Sequence, residues 1–309
     1  ALPIGATSLV PLVLLPLLGV RSTAETASSY GDPIVFLFLG AFLIALAMER
    51  QGLHRRIGLA LVAAIGGEPR RLVLGFLVAT VAVSMWINNT AAALMMLPVA
   101  VSVVEHVCAG ALLDGRSGVD ATQRARRSLG AAVMLGIAYG ASLGGMGTLV
   151  GTAPNLVFVG QLKSLHPDHP PIAFLRWMLL GVPLVVLLTA LVYPALLRLA
   201  PETPLSRFRF TTGGGAALRS ERERLGPMSA AERLVLGGFA TAVLLWVTRA
   251  PLDVGALHVP GWSEWLPHPA FAHDATVAVA IGLALIALRA RGGAGMGFAR
   301  APLLDWRTV

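Results

Sequence analysis

A cluster of hydrogen-bonding side chains lies in the middle of a long apolar segment. Ser84-Met85-Trp86-Ile87-Asn88-Asn89-Thr90 belongs to a run that has no charged residue from Leu72 to Val104. Asn and Thr side chains compete with helical backbone hydrogen bonds, so Asn88-Asn89-Thr90 predicts a break between two half-helices. Irregular backbone at membrane depth occurs only where protein or a water-filled cavity surrounds it. The cluster therefore predicts a binding site for a small solute, with hydrogen bonding between two ordinary helices as the alternative.

A second interruption is predicted between residues 128 and 162, which are also free of charge. Gly144-Gly145-Met146-Gly147-Thr148 is followed closely by Gly151-Thr152-Ala153-Pro154-Asn155. Glycines and a proline inside so long an apolar run predict an unwound helix centre. In transporters, carbonyl groups of unwound segments coordinate cations, and half-helix N-termini attract anionic groups. Close packing through small residues is the alternative, but two interrupted segments in one chain favour a transport site.

The composition places these segments in a lipid bilayer. Hydrophobic residues make up 56% of the 309 residues, charged residues make up 13%, and the mean hydropathy is +0.74. Several charge-free runs approach the roughly 20 residues that span a hydrocarbon core; they cover residues 1–20, 33–48, 72–104, 128–162, 177–197, 234–248 and 275–288. The predicted fold class is all-α, a polytopic membrane protein whose first span is formed by residues 1–20.

Several other classes of protein are disfavoured. The net charge of +8 does not indicate nucleic-acid binding, because the arginines lie between the apolar runs rather than on one amphipathic face. The sequence contains no His-Glu-x-x-His, Gly-x-Ser-x-Gly or Walker motif, so we expect neither an enzyme nor an ATP-driven pump. Its single cysteine, Cys108, rules out a disulfide within these residues.

The distribution of arginine predicts the orientation of the chain. The loops over residues 49–71, 105–127 and 198–233 are arginine-rich, which places them in the cytoplasm. Residues 72–104 must then leave and return on one side, and they are too few for two full spans. We therefore expect a re-entrant hairpin over residues 72–107 with Asn88-Asn89-Thr90 at its tip. A capping box at Ser229-Ala230-Ala231-Glu232 predicts the start of a later helix.

At the two interruptions the sequence resembles the divalent anion/sodium symporter family, which carries di- and tricarboxylates or sulfate with sodium. Members have a Ser-Asn-Thr triplet at a hairpin tip, matched here by Asn88-Asn89-Thr90 after Ser84-Met85-Trp86-Ile87 and before Leu97-Pro98. The glycine-rich patterns of the family's broken helix match residues 144–148 and 151–155. The resemblance extends from about Pro33 to the end of the chain.

The resemblance implies roles for individual residues. The sodium ligands that it implies are Ser84, Asn88, Asn89, Gly144 and Gly145, and sodium is the expected cofactor. The residues implied to hold the anionic substrate are Asn89, Thr90 and Gly145. Asn88 stands where the family has a serine, and its amide oxygen is still a suitable ligand for a hard cation. No catalytic residue is expected.

The family is built from two inverted repeats, each with a hairpin, and this implies a domain organisation. We expect N-terminal scaffold spans over residues 1–71, a transport region with the hairpin and a broken helix (130–163) over 72–165, a scaffold span over 166–200, a cytoplasmic linker over 201–233 and the start of the second repeat over 234–309. No second triplet is present, and Asp305-Trp306-Arg307-Thr308-Val309 resembles the stretch before a second hairpin. The chain is therefore expected to be an N-terminal portion of a longer carrier.

The implied function is secondary active transport of small divalent anions with sodium. The hairpin and the broken helix would move in an elevator-like way against a static scaffold. The protein is expected to lie in the cell (inner) membrane as a homodimer, with a small anion and the lipid bilayer, but no nucleic acid, as partners. The alternatives are a membrane binding or assembly subunit without flux of its own and a sodium-independent anion exchanger.

Overall fold

The regular structure of the chain is mainly helical. A computed structural model describes residues 3–109, 111–168, 170–211, 213–254, 257–291 and 300–304. Its helices are α1 (Ile4–Leu17), α2 (Thr23–Tyr30), α3 (Pro33–Arg50), α4 (Leu53–Ile65), α5 (Pro69–Ser84), α6 (Asn89–Cys108), α7 (Val119–Gly145), α8 (Ala153–Leu165), α9 (Phe174–Leu199), α10 (Gly214–Arg224), α11 (Ala230–Arg249) and α12 (Asp274–Ala287). Three short antiparallel pairs join β1 (Leu112–Leu113) to β2 (Phe208–Arg209), β3 (Leu252–Val254) to β4 (Leu257–Val259) and β5 (Arg289–Arg291) to β6 (Arg300–Pro302).

Five helical segments within the described residues are long and apolar enough to cross a membrane. They are Thr23–Arg50, which combines α2 and α3, and the helices α6, α7, α9 and α11. The prediction of an all-α polytopic membrane protein is confirmed. Helix α1 is shorter than the span predicted for residues 1–20, with 14 residues and two internal prolines. At 1.5 Å per residue it is about 21 Å long, less than a hydrocarbon core of roughly 30 Å.

Helix α7 begins earlier than the sequence predicted. Residues 105–127 were expected to form a loop, yet the helix starts at Val119 and includes charged residues in its first turns. Arg124 pairs with Asp120 one turn before it at 3.0 Å, and Arg126 pairs with Glu105 of α6 at 2.8 Å. Opposite charges four residues apart stabilise a helix, which explains why this polar segment is helical.

The apolar side chains form two separate cores. The hairpin core joins α5, α6 and α7 with parts of α3, α4, α9 and α10, and its fully buried members include Phe76, Leu77, Val103, Leu129 and Val133. The α3 core joins α3, α11 and α12 with residues 149–150 and the starts of α8 and α9, and its buried members include Ile44, Phe174, Val235, Trp246 and Ala278. Gly40 allows α3 to approach α12, since a Cβ at this position would lie 2.4 Å from the Ala278 carbonyl carbon.

Ion pairs join distant parts of the chain at its arginine-rich end. Arg55 and Arg56 of α4 contact Glu221 of α10 at 3.1 Å and Glu232 of α11 at 2.9 Å. The Ser229 hydroxyl accepts a hydrogen bond from the Glu232 N–H at 3.1 Å, and the Glu232 carboxylate accepts one from the Ser229 N–H at 2.6 Å. The predicted capping box is therefore confirmed.

The predicted boundaries at residues 165/166 and 200/201 fall between helices, whereas those at 71/72 and 233/234 lie inside α5 and α11. Two helices joined by a short turn occupy the region of the predicted hairpin, and α7 and α8 occupy that of the broken helix. Helix α9 contributes Val185 and Leu196 to the hairpin core. The re-entrant path and the assignment of residues 166–200 to a scaffold and 234–309 to a second repeat stay predictions. Residues 305–309 lie outside the described residues.

Candidate functional site

The hairpin turn consists of residues 85–88, between the end of α5 and the start of α6. Asn88 occupies the N-cap position of α6, and its side-chain Oδ1 accepts a hydrogen bond from the Thr90 N–H at 2.8 Å. Asparagine is among the best residues for this position because its oxygen satisfies a backbone donor that the helix leaves unpaired. The Asn88 cap thus explains why α6 begins at residue 89. The Asn88 side-chain oxygen is already occupied by the hydrogen bond from the Thr90 N–H.

The second break consists of residues 146–152, between the end of α7 and the start of α8. Asn155 is 7% exposed, and its Nδ2 donates hydrogen bonds to the carbonyl oxygens of Gly145 at 2.7 Å and Thr148 at 2.8 Å. The Trp177 indole N–H of α9 donates to the Met146 carbonyl at 3.0 Å. These side chains satisfy buried carbonyl groups that an interrupted helix would otherwise leave without partners.

The two breaks are joined directly. The Thr148 hydroxyl donates a hydrogen bond to the Met85 carbonyl of the hairpin turn at 2.5 Å, and Thr148 is fully buried. The end of α7 also packs closely against the hairpin: a Cβ at Gly144 would lie 2.3 Å from the Val81 carbonyl oxygen, and one at Gly145 would lie 2.6 Å from Asn89 Oδ1. The glycine pair is required by this close approach.

Three oxygen atoms converge where α5, α6 and α7 meet. The buried Ser84 Oγ lies 2.8 Å from Asn89 Oδ1 and 2.7 Å from the Ala141 carbonyl oxygen. The Ser84 hydroxyl has one proton to share between the other two oxygen atoms. Lone pairs on the three oxygens therefore remain available to a cation. Neutral oxygen ligands of this kind suit a hard cation. In the described part of the chain, no three His, Cys, Asp or Glu side chains form an alternative metal site.

A cavity of about 340 Å³ opens beside these oxygen atoms. It lies between the starts of α6 and α8 on one side and α3 on the other. Its lining residues are Phe38, Ala41, Phe42, Ala45, Trp86, Ile87, Asn88, Asn89, Thr90, Val150, Gly151, Thr152 and Ala153. None of these side chains carries a charge, and the N-termini of α6 and α8, the positive ends of their helix dipoles, lie on the cavity wall.

Several polar groups on the cavity wall are free to meet a ligand. Neither the Asn89 amide nitrogen nor the Thr90 hydroxyl has a hydrogen-bonding partner among the described residues. Thr152, at the N-cap position of α8, makes no side-chain capping bond. Donors that face a cavity at two helix N-termini can bind a carboxylate or another anion.

The structure brings most of the predicted site residues together. Ser84, Asn89, Gly144 and Gly145 are neighbours, and Thr90 lies on the cavity wall. Gly145 lies behind Asn89 rather than on that wall, and the Asn88 oxygen faces the Thr90 N–H. The sequence analysis assigned no role to the residues that support the site, Ala141, Thr148, Thr152, Asn155 and Trp177. The Pro154-Asn155 pair after the glycines could have indicated a role for Asn155 at the break. Nothing in the sequence around Trp177 indicates its role.

Comparison with known proteins shows that the chain is similar to sodium-coupled anion transporters. A sequence model described as the sodium:sulfate symporter transmembrane region matches residues 1–309. Two curated relatives, both named sodium-dependent dicarboxylate transporter SdcS, come from Staphylococcus aureus strains NCTC 8325 / PS 47 and COL. Each is 37% identical over 249 residues, which cover 81% of this chain and 46% of the relative. The chain therefore spans somewhat less than half the length of these relatives.

Proposed function

The chain belongs to the sodium:sulfate symporter family, and we propose that it serves in the sodium-coupled transport of small divalent anions. Membership confirms the resemblance found at the hairpin tip and the broken helix, and it places this multi-pass membrane protein among transporters rather than enzymes. The observation that carries the proposal is the uncharged cavity between two helix N-termini, next to a cluster of three oxygen atoms.

The anion would bind in the cavity. The Asn89 amide nitrogen, the Thr90 hydroxyl and the start of α8 at Thr152 supply donors on its wall. A carboxylate or sulfate oxygen is stabilised by such donors and by the helix dipoles without a formal positive charge, so release remains possible. Because the curated relatives are named as dicarboxylate transporters, we favour a dicarboxylate over a tricarboxylate or sulfate.

Sodium would bind at the oxygen cluster of Ser84, Asn89 and Ala141. Asn89 belongs to both sites, since its oxygen points toward Ser84 while the residue also lines the cavity. A cation held by Asn89 Oδ1 would fix the amide with its nitrogen available to the anion. Binding of either ligand would then strengthen binding of the other by the same factor, as thermodynamic linkage requires.

We further propose an elevator-like movement. The cavity separates the hairpin turn and the start of α8 from helix α3 over part of their length. A shift of the hairpin and the broken helix as one body against α3 would change the shape of this cavity, and it would require Leu149, Val150 and Leu156 to repack against α3. A homodimer in the inner membrane is part of the same proposal, and it rests on the family resemblance alone.

Uptake by proteoliposomes tests the proposed function. The complete gene product is reconstituted, and labelled succinate, citrate and sulfate are followed with and without an inward sodium gradient. We expect sodium-dependent uptake of succinate above that of the other two anions. Equal uptake without sodium would favour an exchanger, and succinate binding without uptake would favour a binding subunit. Either result contradicts the proposal.

A further inference from the structure

A separate cavity of about 430 Å³ lies where α5 begins and α9 ends. Its lining residues are Arg70, Pro194, Leu197, Arg198, Pro204, Leu205 and Ser206. The two arginines are the only charged residues on this wall, and neither the hairpin turn nor the broken helix contributes to it. The cavity is therefore distinct from the proposed transport site.

Neither arginine has an acidic partner. No hydrogen bond or ion pair joins the guanidinium of Arg70 or Arg198 to another described residue. Two neighbouring arginines, in contrast, have acidic partners: Arg71 lies 3.4 Å from Glu68, and Arg207 contacts Asp114. The Tyr193 hydroxyl donates to the Arg70 carbonyl oxygen at 3.2 Å and holds the start of α5 beside α9. Two uncompensated guanidinium groups around one cavity attract an anion with several oxygen atoms.

An apolar stripe on α9 leads to this cavity. Leu187, Leu191, Pro194 and Arg198 are spaced by three or four residues and so share one face of the helix. Leu187 is 57% exposed and Leu191 is 60% exposed within the described chain. The distance along the helix from Leu187 to Arg198 is about 16 Å, close to one leaflet of a hydrocarbon core of roughly 30 Å.

We propose that this cavity binds the headgroup phosphate of an anionic phospholipid, with an acyl chain along Leu187 and Leu191. Arg70 and Arg198 would share the phosphate oxygens, so the lipid would connect the first helix of the hairpin to α9. A basic pocket at the arginine-rich end of membrane helices is a known arrangement for anionic headgroups. The proposal does not depend on transport. Inorganic phosphate could contact the same arginines, but it has no acyl chain to pack against Leu187 and Leu191.

Native mass spectrometry of the detergent-solubilised protein tests the proposal. The apparent affinity for dioleoyl phosphatidylglycerol is measured against that for dioleoyl phosphatidylcholine in the wild-type protein and in Arg70→Gln, Arg198→Gln and the double variant. We expect phosphatidylglycerol to be preferred. Each substitution should weaken its binding about fivefold, and the double variant about 30-fold, since each basic residue near an anionic lipid contributes modestly.

Two controls make the result decisive. Arg209→Gln removes another exposed arginine that does not line the cavity, and it should leave the lipid preference unchanged. Inorganic phosphate is added as a competitor, and it should not displace the lipid at comparable concentrations. Unchanged phosphatidylglycerol binding by a folded double variant would overturn the proposal. Full displacement by inorganic phosphate would also overturn it, because that result indicates a site for a free anion.

Discussion

The two breaks in the helices are stabilised in different ways. The hairpin turn has a local cap, since Asn88 caps the helix that follows it, and it receives one distant hydrogen bond, from Thr148 to the Met85 carbonyl. The break at residues 146–152 is held by side chains from further along the chain, Asn155 of α8 and Trp177 of α9. The start of α8 at Thr152 has no side-chain cap. The difference lies in the cap: the helix after the first break is capped by its own residue Asn88, whereas the helix after the second break has no side-chain cap and leaves N–H donors open to the cavity.

The largest effect is expected from Asn89→Ala, which removes the residue shared by the two proposed sites. We expect succinate uptake to fall on the order of 100-fold, since a hydrogen bond to a charged ligand contributes up to about 3 kcal/mol. The protein should remain folded, because Asn88 and not Asn89 caps α6. Uptake and gel-filtration profiles are measured on the same preparation. Normal uptake by a well-folded variant would contradict the site assignment.

Asn155→Leu tests the dependence of the second break on tertiary contacts. The substitution leaves the Gly145 and Thr148 carbonyls without their donor, which should destabilise the protein by roughly 1–3 kcal/mol. Trp177→Phe removes one hydrogen bond to Met146 and should cost about 1 kcal/mol. Thermal unfolding in detergent measures both. Equal melting temperatures for the wild-type protein and Asn155→Leu would show that the break is stable without these contacts.

The glycine pair allows folding and ligand binding to be separated. In Gly144→Ala the new methyl group meets the Val81 backbone, so we expect a loss of stability of roughly 1–3 kcal/mol from overpacking. In Gly145→Ala it meets the Asn89 side chain, which can move, so the main effect should be weaker sodium and anion binding. Gly215→Ala, where the added Cβ would meet open space, is the control. Thermal unfolding and sodium titration of uptake are compared for all three, and identical behaviour of the first two would contradict this distinction.

The smallest effect is expected at Asn88. Serine is also a good N-cap residue, so Asn88→Ser should keep both stability and sodium dependence, while Asn88→Ala should cost about 1 kcal/mol. A sodium titration of uptake distinguishes a cap from a ligand. A marked rise in the sodium concentration needed by Asn88→Ala, without a change in melting temperature, would show that Asn88 ligates the ion directly.

The sequence predicted those parts of the fold that have a local cause. Asn88-Asn89-Thr90 and the Gly-Gly and Pro-Asn pairs indicated both breaks, and Ser229 with Glu232 indicated the start of α11. Runs of apolar residues indicated the spans. The early start of α7 was missed because charge was taken to mean a loop, although Asp120 and Arg124 support each other along the helix.

The supporting contacts of the site could not be predicted in this way. Trp177 is an ordinary tryptophan in an apolar helix, and only the packing of α9 brings its indole to the Met146 carbonyl. The same holds for Ala141, which contributes a backbone oxygen that any residue would provide. Residue types can indicate a site only where side chains, and not backbone groups, make the contacts.

The ion pairs of α4 set an order of events during synthesis of the protein. Arg55 and Arg56 are separated from Glu221 and Glu232 by 166 and 176 residues. A ribosome that adds about 5–20 residues per second needs roughly 10–35 s to supply these partners after α4 has emerged. During this interval the arginines of α4 lack these acidic partners, so any association of the hairpin helices takes place without the two ion pairs. The contacts of α4 with α10 and α11 can therefore form only after the residues of the hairpin and the broken helix have been synthesised.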